Sequence, residues 1–81
     1  MDFSQIINIV NEIFINVLDD NKIKLGPTTT ANDVEEWSSL SHIELVVAIE
    51  KRFKIRFTTA EIQNWKNVGE MCETIEKRLK A

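Results

Sequence analysis

An all-α fold, a four-helix bundle of three main helices and a short third one, is what this 81-residue sequence predicts. Apolar residues recur at helical spacing in three segments. Capping residues stand ahead of three of the helices. The one stretch with strand-like alternation has no second strand to pair with. The length predicts a single domain over residues 1–81, and a domain this small buries only about 60–65% of its unfolded surface. That leaves little room for an enclosed substrate cavity, which favours a carrier, adaptor or binding module over an enzyme.

The first helix spans Asp2 to Leu18, with Phe3, Ile6, Ile7, Val10, Ile13, Phe14, Val17 and Leu18 on its stripe. Ile9 and Ile15 fall off that stripe, so the apolar band is wide or partly exposed. A long loop follows, "DDNKIKLGPTTTANDVEE", in which Gly26-Pro27 and the threonine run break any helix. Ile23, Leu25 and Val34 are its expected anchors on the core. Ser38 or Ser39 caps the second helix, which runs to about Phe53. "FKIR" is then an extended connector. Thr58 and Glu61 form a capping box for a short third helix to about Asn64 or Trp65. Asn67 caps the fourth, whose stripe is Val68, Met71, Cys72, Ile75 and Leu79. Lys77, Arg78 and Lys80 suit its negative C-terminal end.

The net charge is −3 and unevenly spread. Residues 1–36 carry seven acids and two bases; residues 37–81 carry six and eight. An acidic chain without a clear basic stripe argues against nucleic acid as a partner and for a protein with a basic patch. Cys72 is alone, which excludes an internal disulfide and a thiolate metal cluster. The opening "MDFSQIINIV" lacks the basic start of a signal peptide, and no apolar run is long enough to span a bilayer. The expected setting is the cytoplasm, without a membrane partner.

The second helix has two apolar faces. At 100° per residue, His42, Leu45, Val46, Ile49 and Phe53 cluster on one side and Leu40, Ile43 and Val47 roughly opposite. One stripe is enough for a helix at the edge of a small bundle. Either the long loop covers the second stripe through Val34 or Leu25, or Leu40 and Val47 form an exposed strip beside Ser39, with Glu44 and Glu50 as a charged rim for a partner. With Ser38 as cap, Ser39 becomes the first helical residue. Its hydroxyl then stands at the positive end of the helix dipole, where a phosphate attached to it is stabilised.

The run "EEWSSLSHIELVVAIEKRF" resembles the acyl carrier protein family and the wider set of carrier domains that bear 4′-phosphopantetheine. The hallmark of that family is Asp-Ser-Leu at the start of the second helix, often after a Trp, followed by an apolar, Glu-containing helix that ends at Phe. Here the chain reads Trp37-Ser38-Ser39-Leu40, then "SHIELVVAIEKRF" to Phe53. The resemblance spans nearly the whole chain, including "DVEEW", the short third helix and "NVGEM" at the start of the fourth.

The resemblance implies that Ser39 is the attachment serine. A phosphopantetheinyl transferase would load it from coenzyme A, and the thiol of the arm, not Cys72, would hold acyl groups as thioesters. The chain would catalyse nothing. It would present tethered cargo to acyl-transferring and chain-elongating enzymes of fatty acid, polyketide or related biosynthesis, as a monomer. Ser38, Leu40, Ile43, Glu44, Val47 and Glu50 are the expected partner contacts. Two departures stand out. Ser38 occupies the place of the family's Asp, keeping the cap but not the charge, with Glu35 and Glu36 nearby. "EKRFKIR" also turns the end of the usually acidic second helix basic.

The alternative from another class is an unmodified helical adaptor that binds protein through Leu40, Ile43 and Val47. A hydrolase built on Ser39 lacks an evident base and acid. His42, on the core-facing side, reads as a packing or loop-contact residue. Trp37 covers the loop–helix junction, and Trp65 packs between the third and fourth helices. Cys72 reads as a small buried apolar residue. Asp19, Asp20 and Asp33 match no calcium loop, so no metal site is expected.

Overall fold

The computed structural model describes residues 2–80, which form α1 (Phe3–Leu18), a 3-10 turn (Ala31–Asp33), α2 (Ser39–Phe53), α3 (Thr59–Asn64) and α4 (Val68–Lys80). Among the described residues there is no strand, and residues 55–57 are an extended connector as expected. Local signals set the helix ends. Asp2 accepts the Gln5 N–H at 2.9 Å while Gln5 accepts the Asp2 N–H at 3.0 Å, a reciprocal box that satisfies two free donors of α1. Thr58 and Glu61 do the same for α3, at 3.2 and 2.9 Å. Asn67 Oδ1 accepts the Glu70 N–H at 2.9 Å at the start of α4.

One hydrophobic cluster joins the helices. Ile6, Val10 and Phe14 of α1, spaced by four, are fully buried against Leu45 and Ile49 of α2 and Met71, Cys72 and Ile75 of α4. The apolar band of α1 is wide: Ile9 and Ile15, off the main stripe, are half-buried against the same cluster. Leu79 departs from the predicted stripe of α4. The buried cluster ends at Ile75 on this helix, and Leu79, one turn on among Lys77, Arg78 and Lys80, is 37% exposed.

The long loop is ordered by three sets of contacts. Ile23 and Val34 are buried and Leu25 half-buried. Asn11 of α1 clamps the loop from the side, accepting the Leu25 N–H at 2.6 Å and donating to the Ile23 carbonyl at 3.3 Å. The carbonyls of Thr29 and Pro27 accept the N–H groups of Val68 and Gly69 at 2.9 and 2.8 Å, so the loop caps the first turn of α4. That approach needs glycine: a Cβ on Gly69 would lie 2.6 Å from the Pro27 carbonyl oxygen. The loop thus reaches the N-terminal end of α2 with its path determined on two sides.

Candidate functional site

Three serines crowd the start of α2, and the structure separates their roles. Ser38 is the N-cap, its backbone extended, and its Oγ accepts the Ser41 N–H at 3.3 Å. Ser41 Oγ accepts the Ser38 N–H at 2.7 Å and donates to the Glu36 carbonyl at 2.8 Å. Both hydroxyls are therefore engaged in holding the helix start. Ser39 is the first helical residue and exposed, and among the described residues its hydroxyl enters no hydrogen bond. It is the unengaged oxygen at a helix N-terminus, where the dipole favours negative charge.

From Ser39 an open groove of about 770 Å³ runs between α2 and α3, lined by Trp37, His42, Ile43, Ile62 and Trp65 among others. Its aromatic wall is cross-linked. The Trp37 indole N–H donates to His42 Nδ1 at 3.0 Å, and the Trp37 ring meets Phe14 edge-on at 4.9 Å between centroids. His42 faces Trp65 at 6.1 Å. The Trp65 indole N–H donates to Thr74 Oγ1 at 2.9 Å, and its ring meets Phe57 edge-on at 4.9 Å. Trp37 covers the loop–helix junction and Trp65 ties α3 to α4, as the sequence suggests. His42 turns out to be a wall residue, only half-buried. While its Nδ1 accepts the indole hydrogen, that nitrogen cannot act as a base toward Ser39.

The outer side of α2 is bare. Leu40 is 71% exposed, Ile43 63% and Val47 43%. The loop does not cover this strip; Val34 turns inward instead and is buried. Glu44 is exposed beside the strip. Glu50 is half-buried, and its Oε2 accepts the Phe57 N–H at 2.9 Å, a bond that fixes the connector after α2. Sequence reading set Glu50 on the rim but had no local signal for this bond, which links residues seven apart. Cys72 is fully buried, and burial pushes its thiol up to about 12, which keeps it protonated and unreactive.

Residues 8–75 match the family described as the phosphopantetheine attachment site. No curated protein matches the chain. Among solved structures, the chain is similar to the holo acyl carrier protein from Geobacter metallireducens, determined by solution NMR. The two are 40% identical, the match covers 91% of this chain and 85% of that one, and the TM-score is 0.86.

Proposed function

Because the chain belongs to the phosphopantetheine attachment family, we propose that Ser39 Oγ is the point at which it carries its prosthetic arm. The protein is an acyl carrier bearing covalent 4′-phosphopantetheine, and it is not an enzyme. When bound, the arm supplies a terminal thiol that holds an acyl group as a thioester. What carries the choice of serine is one observation: of the three hydroxyls at this junction, that of Ser39 is exposed and unengaged, while those of Ser38 and Ser41 are committed to the cap.

The residues around Ser39 fit such a group. The backbone N–H groups of the first turn of α2 favour an anion bonded to Ser39. The groove that begins at Ser39 offers an apolar, aromatic wall for the arm or its cargo. Cys72, buried and protonated, does not compete for acyl groups. Leu40, Ile43 and Val47, with Glu44 beside them, form the surface that biosynthetic partners and the transferase meet. Ser38 contributes to that surface only as the cap that holds Ser39 in place, and Glu50 by fixing the far end of α2. The working setting is the cytoplasm, the working form a monomer, and the pathway fatty acid, polyketide or a related thioester route. An unmodified adaptor would use the same strip, but it gives no reason for a free hydroxyl beside it.

Intact mass after incubation with coenzyme A, magnesium and a permissive transferase tests the assignment. The wild type should gain one phosphopantetheine and Ser39→Ala none. A gain on Ser39→Ala would move the site to another residue, and no gain on the wild type would favour the adaptor. Ser38→Asp adds a carboxylate beside Ser39 and should load faster. Equal rates would mean that the charge missing at position 38 does not matter here.

A further inference from the structure

Both indoles beside the groove at Ser39 are already committed, Trp65 to Thr74 and Trp37 to His42 Nδ1. The second bond decides where the histidine's own hydrogen sits. An indole nitrogen only donates, so Nδ1 is the accepting nitrogen and the hydrogen of the neutral ring is on Nε2. Among the described residues Nε2 has no partner, and no buried side-chain nitrogen or oxygen is left without one, so the Nε2–H is open to solvent. His42 lies on the groove, three residues after Ser39 and so on the same face of α2. A helical side chain leans back over the turn before it, here the turn of Ser39. Trp37, edge-on against buried Phe14, holds the ring in place.

The opposite wall repeats the arrangement. Asn67, also on the groove, commits its Oδ1 to the Glu70 N–H at 2.9 Å as the cap of α4. Its Nδ2 hydrogens have no partner among the described residues and are open to solvent by the same reasoning. Each side chain is therefore fixed at one end and offers a donor at the other. The charge agrees. Lys66 lines the groove and, among the described residues, no Asp or Glu does, in a chain whose net charge is −3. An apolar groove with a few convergent donors selects an occupant that brings acceptors.

We propose that His42 and Asn67 are positioning residues for the prosthetic arm, donating from Nε2–H and Nδ2–H to its phosphate and amide oxygens and holding it along the groove. This rests on the reading of Ser39 as the attachment point, because the groove begins there. A plain hydrocarbon laid over the same wall would cover both donors without pairing them, which costs free energy. Lys66 adds a cation suited to the phosphate. An arm held on this side leaves Leu40 and Val47 clear on the outer side of α2.

The full chain, isotope-labelled, can be compared by NMR before and after loading with phosphopantetheine. The unloaded chain should show His42 hydrogen-bearing at Nε2. Loading should shift the His42 Nε2 and Asn67 Nδ2 resonances and give contacts from the arm's methyl groups to Ile62 or Trp65. Asn67→Ser keeps a good cap and removes the donor. Asn67→Asp keeps the cap and adds a charge that repels the phosphate. Both should leave the unloaded spectrum of residues 68–71 nearly unchanged, as a purely structural role would not survive, and both should weaken the arm contacts, Asp more than Ser. For Ser the loss in the held fraction should be about fivefold, the net worth of one hydrogen bond. His42→Phe keeps a ring in the wall and should also weaken them, with circular dichroism checking that the helices persist. A loaded wild type whose shifts stop at Ser39 and its chain neighbours would overturn the proposal. So would undiminished contacts in the Asn67 variants, or a His42 hydrogen on Nδ1. Intact mass separates this idea from the one beneath it. A chain loaded on Ser39 without arm contacts removes the two positioning residues and leaves the attachment point standing, whereas a chain that takes no arm removes both.

Discussion

Helices α2 and α3 form the two walls of one groove, yet they are held in opposite ways. α2 buries Leu45, Val46, Ile49 and Phe53 in the core and leaves Leu40, Ile43 and Val47 outside. α3 has six residues and buries none of them. A helix that short does not hold itself together in water. It is kept by its capping box, by the pair between Glu61 and Arg78, and by Trp65 of its C-cap bonded to Thr74 of α4. The serine that we assign as the tether point therefore stands on the wall anchored in the core. The other wall is attached by a few half-buried contacts. The start of α2 is fixed for presentation, while the groove beside it can adjust at little cost.

The largest effect that tests this contrast comes from two leucines five residues apart on α2. Leu45→Ala empties a fully buried position and should destabilise the fold by about 2–5 kcal/mol in urea unfolding. Leu40→Ala removes a side chain that is 71% exposed, and the change should stay within about 0.5 kcal/mol. If the two variants lost similar stability, the outer strip would be part of the core and no docking face would exist.

What the sequence made legible about these two helices follows from how local each signal is. The bounds of α2 and the boxed start of α3 are written in neighbouring residues: Ser38 before the apolar run, and Thr58 three residues before Glu61. The two faces of α2 follow from spacing alone, but spacing could not say whether the loop covered the outer one. That depends on where Val34 points, and Val34 is set by contacts distant in sequence. The same holds for the Asn11 clamp, which joins residues 12 and 14 apart, and for the bond from Phe57 to Glu50. The 3-10 turn at Ala31–Asp33 carries its own signal, since Asp33 accepts the Thr30 N–H at 2.9 Å, but amid a threonine run that pattern does not stand out from an ordinary loop. At the site, Ser39 could be singled out by its place in the motif. That its hydroxyl is free while its two neighbours' are engaged needed the three-dimensional arrangement.

A smaller effect sharpens the contrast from the side of α3. Trp65→Phe keeps an aromatic ring against Phe57 and removes the donor to Thr74. Thr74 Oγ1 still donates to the Glu70 carbonyl at 3.0 Å, so no buried group is orphaned there. The expected cost is about 0.5–1.5 kcal/mol. Hydrogen exchange shows where it falls. Amides of residues 59–64 should exchange ahead of those of α2 in the wild type, and should speed up further in the variant while α2 is unchanged. Equal acceleration in both helices would mean that α3 is as integral to the core as α2.

The smallest effect is electrostatic and depends on pH. The Thr58 backbone N–H and then the Arg78 guanidinium hold the Glu61 carboxyl below the usual glutamate range, against a weaker opposing push from burial. A carboxylate with a lowered folded-state pKa binds fewer protons folded than unfolded. Its contribution to stability is therefore complete above the ordinary glutamate value of about 4.3 and is lost as pH falls through the folded-state value. Glu61 is about 30% exposed and Arg78 37%, so solvent screens the pair and its worth stays below about 1 kcal/mol. Arg78→Gln removes one of the two causes and leaves the Thr58 bond, so the Glu61 carboxyl should move part of the way back up. Acid unfolding of the variant should then begin at higher pH than that of the wild type. The stability gap between them should be open at neutral pH and close in acid, once Glu61 is protonated in both. A gap that persists in acid would mean that Arg78 holds α3 through the packing of its stem and not through its charge. In that case α3 would be attached much as α2 is, and the difference between the two walls of the groove would be one of degree.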